Sequence, residues 1–232
     1  MLLKKLFQIP YYLIPLIILV FIIILRPFIL IRLYGINSNR IGHFIGNTEV
    51  YLTRKKANLF QPSRSYYDIC FYYNSSHNLE KICNKQFDKM IRRVLIIFPT
   101  YPFHFTNKLI NKSSRYLNFI SDHSVYIAEH DRDINNLFSK FSPSFYFTEK
   151  EERLGKNILK DIGIPSNAEF ICFAIRDKAY LKNNFKDIDF SYHDYRDCNI
   201  DNFLLAAETL ANKGYYVLRM GKIVSEKVAV SE

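Results

Sequence analysis

Four cysteines are spread over 232 residues, and no two of them form a CxxC pair. Cys70, Cys83, Cys172 and Cys198 therefore offer neither zinc-ligand spacing nor a disulfide framework, and they fit reduced thiols in a cytosolic compartment. Internal repeats and low-complexity linkers are lacking as well, which excludes a repeat array. No RNA- or DNA-binding motif occurs, and the basic residues are scattered rather than striped. The net charge of +10, from 32 Lys+Arg against 22 Asp+Glu, thus does not make a nucleic-acid binder. Part of that basicity reflects a sequence rich in the residues of A/T-rich codons. Charge is missing altogether from LFQIPYYLIPLIILVFIIIL, the twenty residues from Leu6 to Leu25.

A helix of that length rises roughly 30 Å, the thickness of a bilayer's hydrocarbon core. Pro10 and Pro15 are tolerated in such a setting, and Tyr11 and Tyr12 suit the membrane–water interface. Leu25 is followed by Arg-Pro-Phe-Ile, which supplies no small-residue cleavage site, so a removed signal peptide is not expected. Pro27 to Tyr34 is too short to cross and carries Arg32; it is expected to lie along the interface. Lys4 and Lys5 flank one end, and Arg26, Arg32, Arg40, Arg54, Lys55 and Lys56 follow the other. That asymmetry leans toward a cytoplasmic body on an inner membrane, single-pass or monotopic. A basic surface there would attract anionic lipid or a phosphate-bearing substrate.

Beyond the segment, strand-like and helix-like stretches alternate, which indicates an α/β fold with a mainly parallel sheet. YYDICFYY (66–73) reads as a strand. Asn78 is placed to cap a helix from Leu79 to Arg93. VLIIF (94–98) reads as a buried strand closed by Pro99, followed by a helix over about 106–120 and a strand at 123–128. Thr148 and Glu151 form a capping box for a helix whose apolar stripe is Leu154, Ile158, Leu159 and Ile162, ended by Gly163 and Pro165. EFICFAI (169–175) looks like a strand covered on both faces. A helix over about 200–212, Gly214 and a strand at 215–219 complete one βαβ unit. The long loop after its first strand sits where open α/β sheets bind ligands. The domains expected are an anchor (1–35), a first α/β domain (36–147) and the start of a second (148–232).

Three clusters carry candidate chemistry. In RIGHFIGNTE (40–49), His43 and Glu49 could serve as base or acceptor ligand; the competing reading is a juxtamembrane turn with a solvated histidine. Arg176 and Asp177, with Tyr180, follow the 169–175 strand; a guanidinium there could fork onto a diphosphate, or pair with a carboxylate and close the strand. SYHDYRDCNID (191–201) brings His193, Asp194, Arg196, Asp197 and Asp201 to a helix N-terminus that favours phosphate. Arg219 follows the next strand, so Arg176, Arg196 and Arg219 should converge on one sheet edge.

RIGHFIGNTEVYL, FTEKEERLGKNILKDIGIP, ICFAIRDKAYL and SYHDYRDCNIDNFLLAAETLANKGYYVLRMGK, in that order, resemble a group of bacterial glycosyltransferases of GT-B-like fold found near surface-polysaccharide genes. The likeness runs over most of residues 40–223. It implies two Rossmann-like domains, with a nucleotide-sugar donor held mainly by the second through Arg176, Asp177, Tyr180, Tyr192, Arg196 and Arg219. It implies a glycan or lipid-linked acceptor, with no obligatory metal and no cofactor. The family tends to have a His where this chain has Ala174, and it continues past the RMGK stretch, so the second domain is expected to be truncated. The function expected is a membrane-anchored glycosyltransferase, or its N-terminal portion, working on cell-surface polysaccharide. The alternative is an inactive membrane protein that anchors or scaffolds.

Overall fold

The computed structural model describes residues 9–73, 82–125, 132–186, 188–226 and 228. The chain forms two compact units, Met1–Tyr146 and Phe147–Glu232.

The first unit begins with helix α1 (Ile9–Leu25), 17 residues long. Leu6 to Gln8 of the apolar segment lie outside the described residues. No helix among the described residues is long and apolar enough to cross a membrane. One face of α1 is instead packed on the unit itself. Leu19 and Ile22 join Leu33, Phe71, Ile110 and Ile120 in a buried cluster, and the Thr106 hydroxyl donates to the Pro15 carbonyl at 3.1 Å.

The greater part of Pro27–Tyr34 does not lie along an interface, because Leu30 onward is strand β1 (Leu30–Asn37). The reading of Arg32 as a surface charge is corrected with it. Arg32 is 6% exposed and is the register partner of Asp68 on β2 (Tyr66–Tyr73), parallel to β1. The strand is admissible in a core because Asp68 compensates that charge. Arg32 Nε and Nη2 donate to the two carboxylate oxygens at 2.7 and 3.0 Å, Tyr51 Oη donates at 2.6 Å and Lys55 Nζ at 2.9 Å. Burial by itself would raise the Asp68 pKa, but the donors outweigh it and hold the carboxyl below its usual value. The Arg32 guanidinium also stacks 4.3 Å from the Tyr66 ring centroid.

Between β1 and β2 the chain is helical, with a π-helical turn at His43–Asn47 running into α2 (Thr48–Lys56). The second crossover helix, α3 (Lys85–Val94), is capped by the Asn84 side chain, which accepts from Phe87 N. Asn78 and Leu79, where a cap and start were expected, lie outside the described residues. Val94 belongs to α3, so the next strand, β3 (Ile97–Phe98), is shorter than VLIIF. Helix α4 (Thr100–Ser113) starts earlier than expected; Tyr101 is extended (ψ −179°), so the continuous helix runs from Pro102, at a first position where the missing N–H costs nothing. A 3₁₀ turn, Asn118–His123, follows. Ser124 then bridges Leu33 in parallel, and the rest of the expected 123–128 strand past Val125 lies outside the described residues. Since β1 pairs β2 and β2 pairs β3, the order across the sheet is β3-β2-β1-Ser124. All pairings are parallel, and the order reverses beside β1, a switch of the kind found in doubly wound sheets.

The second unit opens on α5 (Glu149–Asp161), held by the expected capping box between Thr148 and Glu151 and followed by Gly163 at φ +88°. Strands β4 (Phe170–Phe173) and β5 (Tyr216–Arg219) pair in parallel, and α7 (Leu204–Asn212) lies between them in sequence, entered through a 3₁₀ turn at Ile200–Phe203. Two expectations are corrected. Leu154, Ile158 and Ile162 on α5 are exposed rather than a buried stripe, and β4 is half-exposed rather than covered on both faces. Two strands provide little surface to pack against. Among the described residues the buried apolar side chains of this unit are Ile164, Phe185 and Ile200.

Replacing Arg32 by Met leaves the buried Asp68 charge with only Tyr51 and Lys55 and should lower the unfolding free energy by about 3 kcal/mol, whereas Arg32→Met with Asp68→Leu should recover part of that loss. Urea unfolding followed by circular dichroism measures both, and purely additive effects would show that the pair is not coupled.

Candidate functional site

The second unit builds its site at the carboxyl end of β4. Register pairs Phe173 with Arg219, so the residues after each strand emerge at one edge. Arg176 leaves β4 and lies 3.1 Å, Nε to Oδ1, from Asp197; its carbonyl accepts from Cys198 N at 2.9 Å. These contacts pin the end of the Ser191–Arg196 3₁₀ turn to the strand exit. Asp177 accepts from Ala179 N and Ser225 N, both at 2.8 Å, and so ties the start of α6 (Ala179–Asn184) to the segment after β5. Arg219 lies 3.8 Å from the Asp177 carboxylate and also donates to the Glu226 carbonyl.

Between these elements is a cavity of about 440 Å³, within the range of small-ligand sites. Leu181, Phe185 and Phe190 supply its apolar surface, with the Phe185 and Phe190 rings 5.7 Å apart in an edge contact at 75°. Arg176, Lys178, Lys182 and Lys186 face Asp189, Asp194 and Asp197 around it. Lys178 is paired with Asp194, which raises the Lys178 pKa. Asp189 accepts from both the backbone N and the hydroxyl of Ser191, which lowers its pKa. Lys182 and Lys186 have no ion-pair partner among the described residues. A site with two uncommitted ammonium groups beside aromatic rings is suited to an anionic ligand that carries a flat group.

Of the six residues expected at the donor, Arg176 lines this cavity. Asp177 and Arg219 are engaged with each other beside it. Tyr180 is half-buried, while Tyr192, 64% exposed, and Arg196 stand on the surface. Lys178, Lys182, Lys186, Asp189, Phe185 and Phe190 are among the lining residues that sequence reasoning missed. The spacing of the lysines gave little signal, because α6 ends at Asn184: Lys182 lies on the helix, Lys178 at its cap and Lys186 in the turn beyond it.

In the first unit, His43 sits in the π-helical turn with Nδ1 3.3 Å from Asn47 Nδ2. Glu49 Oε1 accepts from the backbone N and hydroxyl of Ser144, both at 2.9 Å, so this carboxylate fastens α2 to the 142–144 segment. Two further histidines are buried. His104 on α4 is 2% exposed beside the Tyr73 ring, and burial pushes its pKa from 6.5 down to about 4. His123 donates from Nδ1 to the Ile31 carbonyl at 2.7 Å, and burial lowers its pKa too.

Both histidines fold neutral. From pH 6.5 down to about 4 the unfolded chain binds protons that folded His104 refuses, so its contribution to stability is complete above 6.5 and lost across that window. Unfolding free energy should fall by about 2 kcal/mol between pH 7 and pH 5 on account of His104, and urea titrations should show a smaller fall for His104→Leu.

No family model matches the sequence, and searches of curated proteins and of solved structures return no match.

Proposed function

We propose that this protein is a membrane-held glycosyltransferase, or the N-terminal portion of one. It would move a sugar from a nucleotide-sugar donor to a glycan or lipid-linked acceptor in cell-surface polysaccharide synthesis. The observation that carries the reading is the cavity at the carboxyl end of β4, with cations at its rim and aromatic rings in its wall. In such a reaction the acceptor oxygen bonds to the anomeric carbon, the bond from that carbon to the diphosphate breaks, and the diphosphate leaves with the electron pair. The acceptor proton passes to a base. Arg176, Lys182 and Lys186 are assigned to the diphosphate, where fixed positive charge stabilises the leaving group. His43 is assigned as the base, and transfer at the wild-type rate by His43→Ala would remove that assignment. Glu49, held by Ser144, is given a structural part. Arg219, which donates to Glu226 and faces Asp177, is given the part of holding the strand exit in place.

A second reading, anchoring or scaffolding without catalysis, is favoured by the ion pairing of Arg176 and Arg219 and by the few buried apolar side chains of this unit. The two readings separate on donor affinity.

Calorimetric titration of the detergent-solubilised chain with nucleoside diphosphates and their sugars should show binding, weakened at least about tenfold, or about 1.4 kcal/mol, by Arg176→Ala and by Lys182→Ala with Lys186→Ala. Absence of affinity for every donor favours the scaffold, and unchanged affinity in Arg176→Ala removes that residue from the site.

A further inference from the structure

We infer that α1 lies in the plane of an anionic membrane surface, with its outer face among the acyl chains, and does not cross the bilayer. The inference rests on the membrane-held reading above and specifies how the holding is done. From Leu13 to Ile24 every residue of α1 is apolar. Pro15, Leu19 and Ile22 face the protein, and Leu33, Phe71 and Ile110 cover the latter two. The opposite face, with Leu13, Ile17, Val20, Phe21 and Ile24, is exposed along the same stretch. An uninterrupted apolar face of that kind costs free energy in water and is stabilised by a hydrocarbon environment.

What runs beside α1 decides its direction in the membrane. Helix α4 lies alongside, with Thr106 bonded at Pro15 and Ile110 packed with Leu19 and Ile22. The same helix carries Lys108 and Lys112, both exposed. If α1 crossed the bilayer, α4 would be drawn to the same depth and its lysines placed in hydrocarbon, among the costliest of insertions. With α1 in the plane, those ammonium groups reach headgroup phosphates instead. The far end of α1 fits the same placement. Arg26 lies 5.5 Å from the Phe119 ring centroid and is ion-paired with Asp122, and Phe28, two residues on, is 82% exposed, an aromatic fringe suited to the interface. Lys108 and Lys112 also favour anionic lipid over a second copy of the chain, which would bring like charges together.

The chain has no tryptophan, so Leu13→Trp and Phe21→Trp each install a single reporter. Purified full chain is added to phosphatidylcholine–phosphatidylglycerol vesicles brominated either near the headgroup end or near the methyl end of the acyl chain. In-plane α1 predicts equal quenching of both reporters, stronger from the headgroup-side bromines. A crossing helix separates the two by roughly 12 Å in depth and quenches them unequally, which would overturn the inference. Absence of quenching, or a dimer that buries both reporters without lipid, would overturn it as well. Lys108→Glu with Lys112→Glu should reduce partition onto these vesicles about tenfold and leave binding to neutral vesicles unchanged; equal partition would remove the charge argument. Donor affinity is measured separately in detergent, so failure on vesicles and failure of the transferase reading are distinct results.

Discussion

The Asp68 carboxylate is the point on which the first unit depends. It lies in the core with donors from three directions: Arg32 on the neighbouring strand, and Tyr51 and Lys55 on the crossover helix. A buried ion pair gains little over well-packed apolar residues, but losing one partner leaves a charge that the interior cannot solvate. The cluster therefore specifies more than it stabilises. A slip of β1 by one residue would turn Arg32 to the other face and leave Asp68 with only Tyr51 and Lys55 as donors. The same bonds set how α2 lies over the first two strands, and Tyr34 stacks on Tyr51 at 4.0 Å in the space so formed.

The rest of the unit is built outward from that register. With β1 fixed, Leu33 presents its carbonyl to Val125 on the free edge, and its side chain meets Leu19 and Ile22 of α1. The apolar helix is thereby part of a folded body. Its two faces have separate roles, one completing a core and the other left for a different apolar medium. That division explains why a segment apolar on every side need not stand alone as a rod.

The second unit is organised differently, by hydrogen bonds and ion pairs at a strand exit more than by apolar burial. Asp177 and Asp197 each take a cation or backbone donors from elements distant in sequence, and Asp197 also lines the cavity. Arginines that look equivalent in sequence thus separate. Arg176 stays on the cavity wall, Arg219 is turned to Asp177 and Glu226, and Arg196 is exposed.

Elements that rest on bonds within one segment were legible in the sequence. The apolar stretch, the aromatic strand at 66–73, the Thr148 capping box and the βαβ order at 170–219 all rest on side-chain periodicity or on bonds spanning a few residues. What depended on a distant partner was not legible. Arg32 could be recognised as a core residue only once Asp68, 36 positions away, stood opposite it. The helical run through Gly42 and Gly46 was hidden by glycines that read as turns, since tertiary packing outweighs their weak propensity. The arginine convergence could be expected from strand order, but the carboxylates that engage two of them, and the three lysines that join Arg176 at the cavity, were settled by how the loop folds back. Sequence alone determined the elements whose signals are local, such as the strand at 66–73 and the Thr148 capping box. Tertiary structure decided that 30–37 is a strand and 43–56 helical, and which charges are buried, paired or left for a ligand, because each needs a partner that only folding brings near.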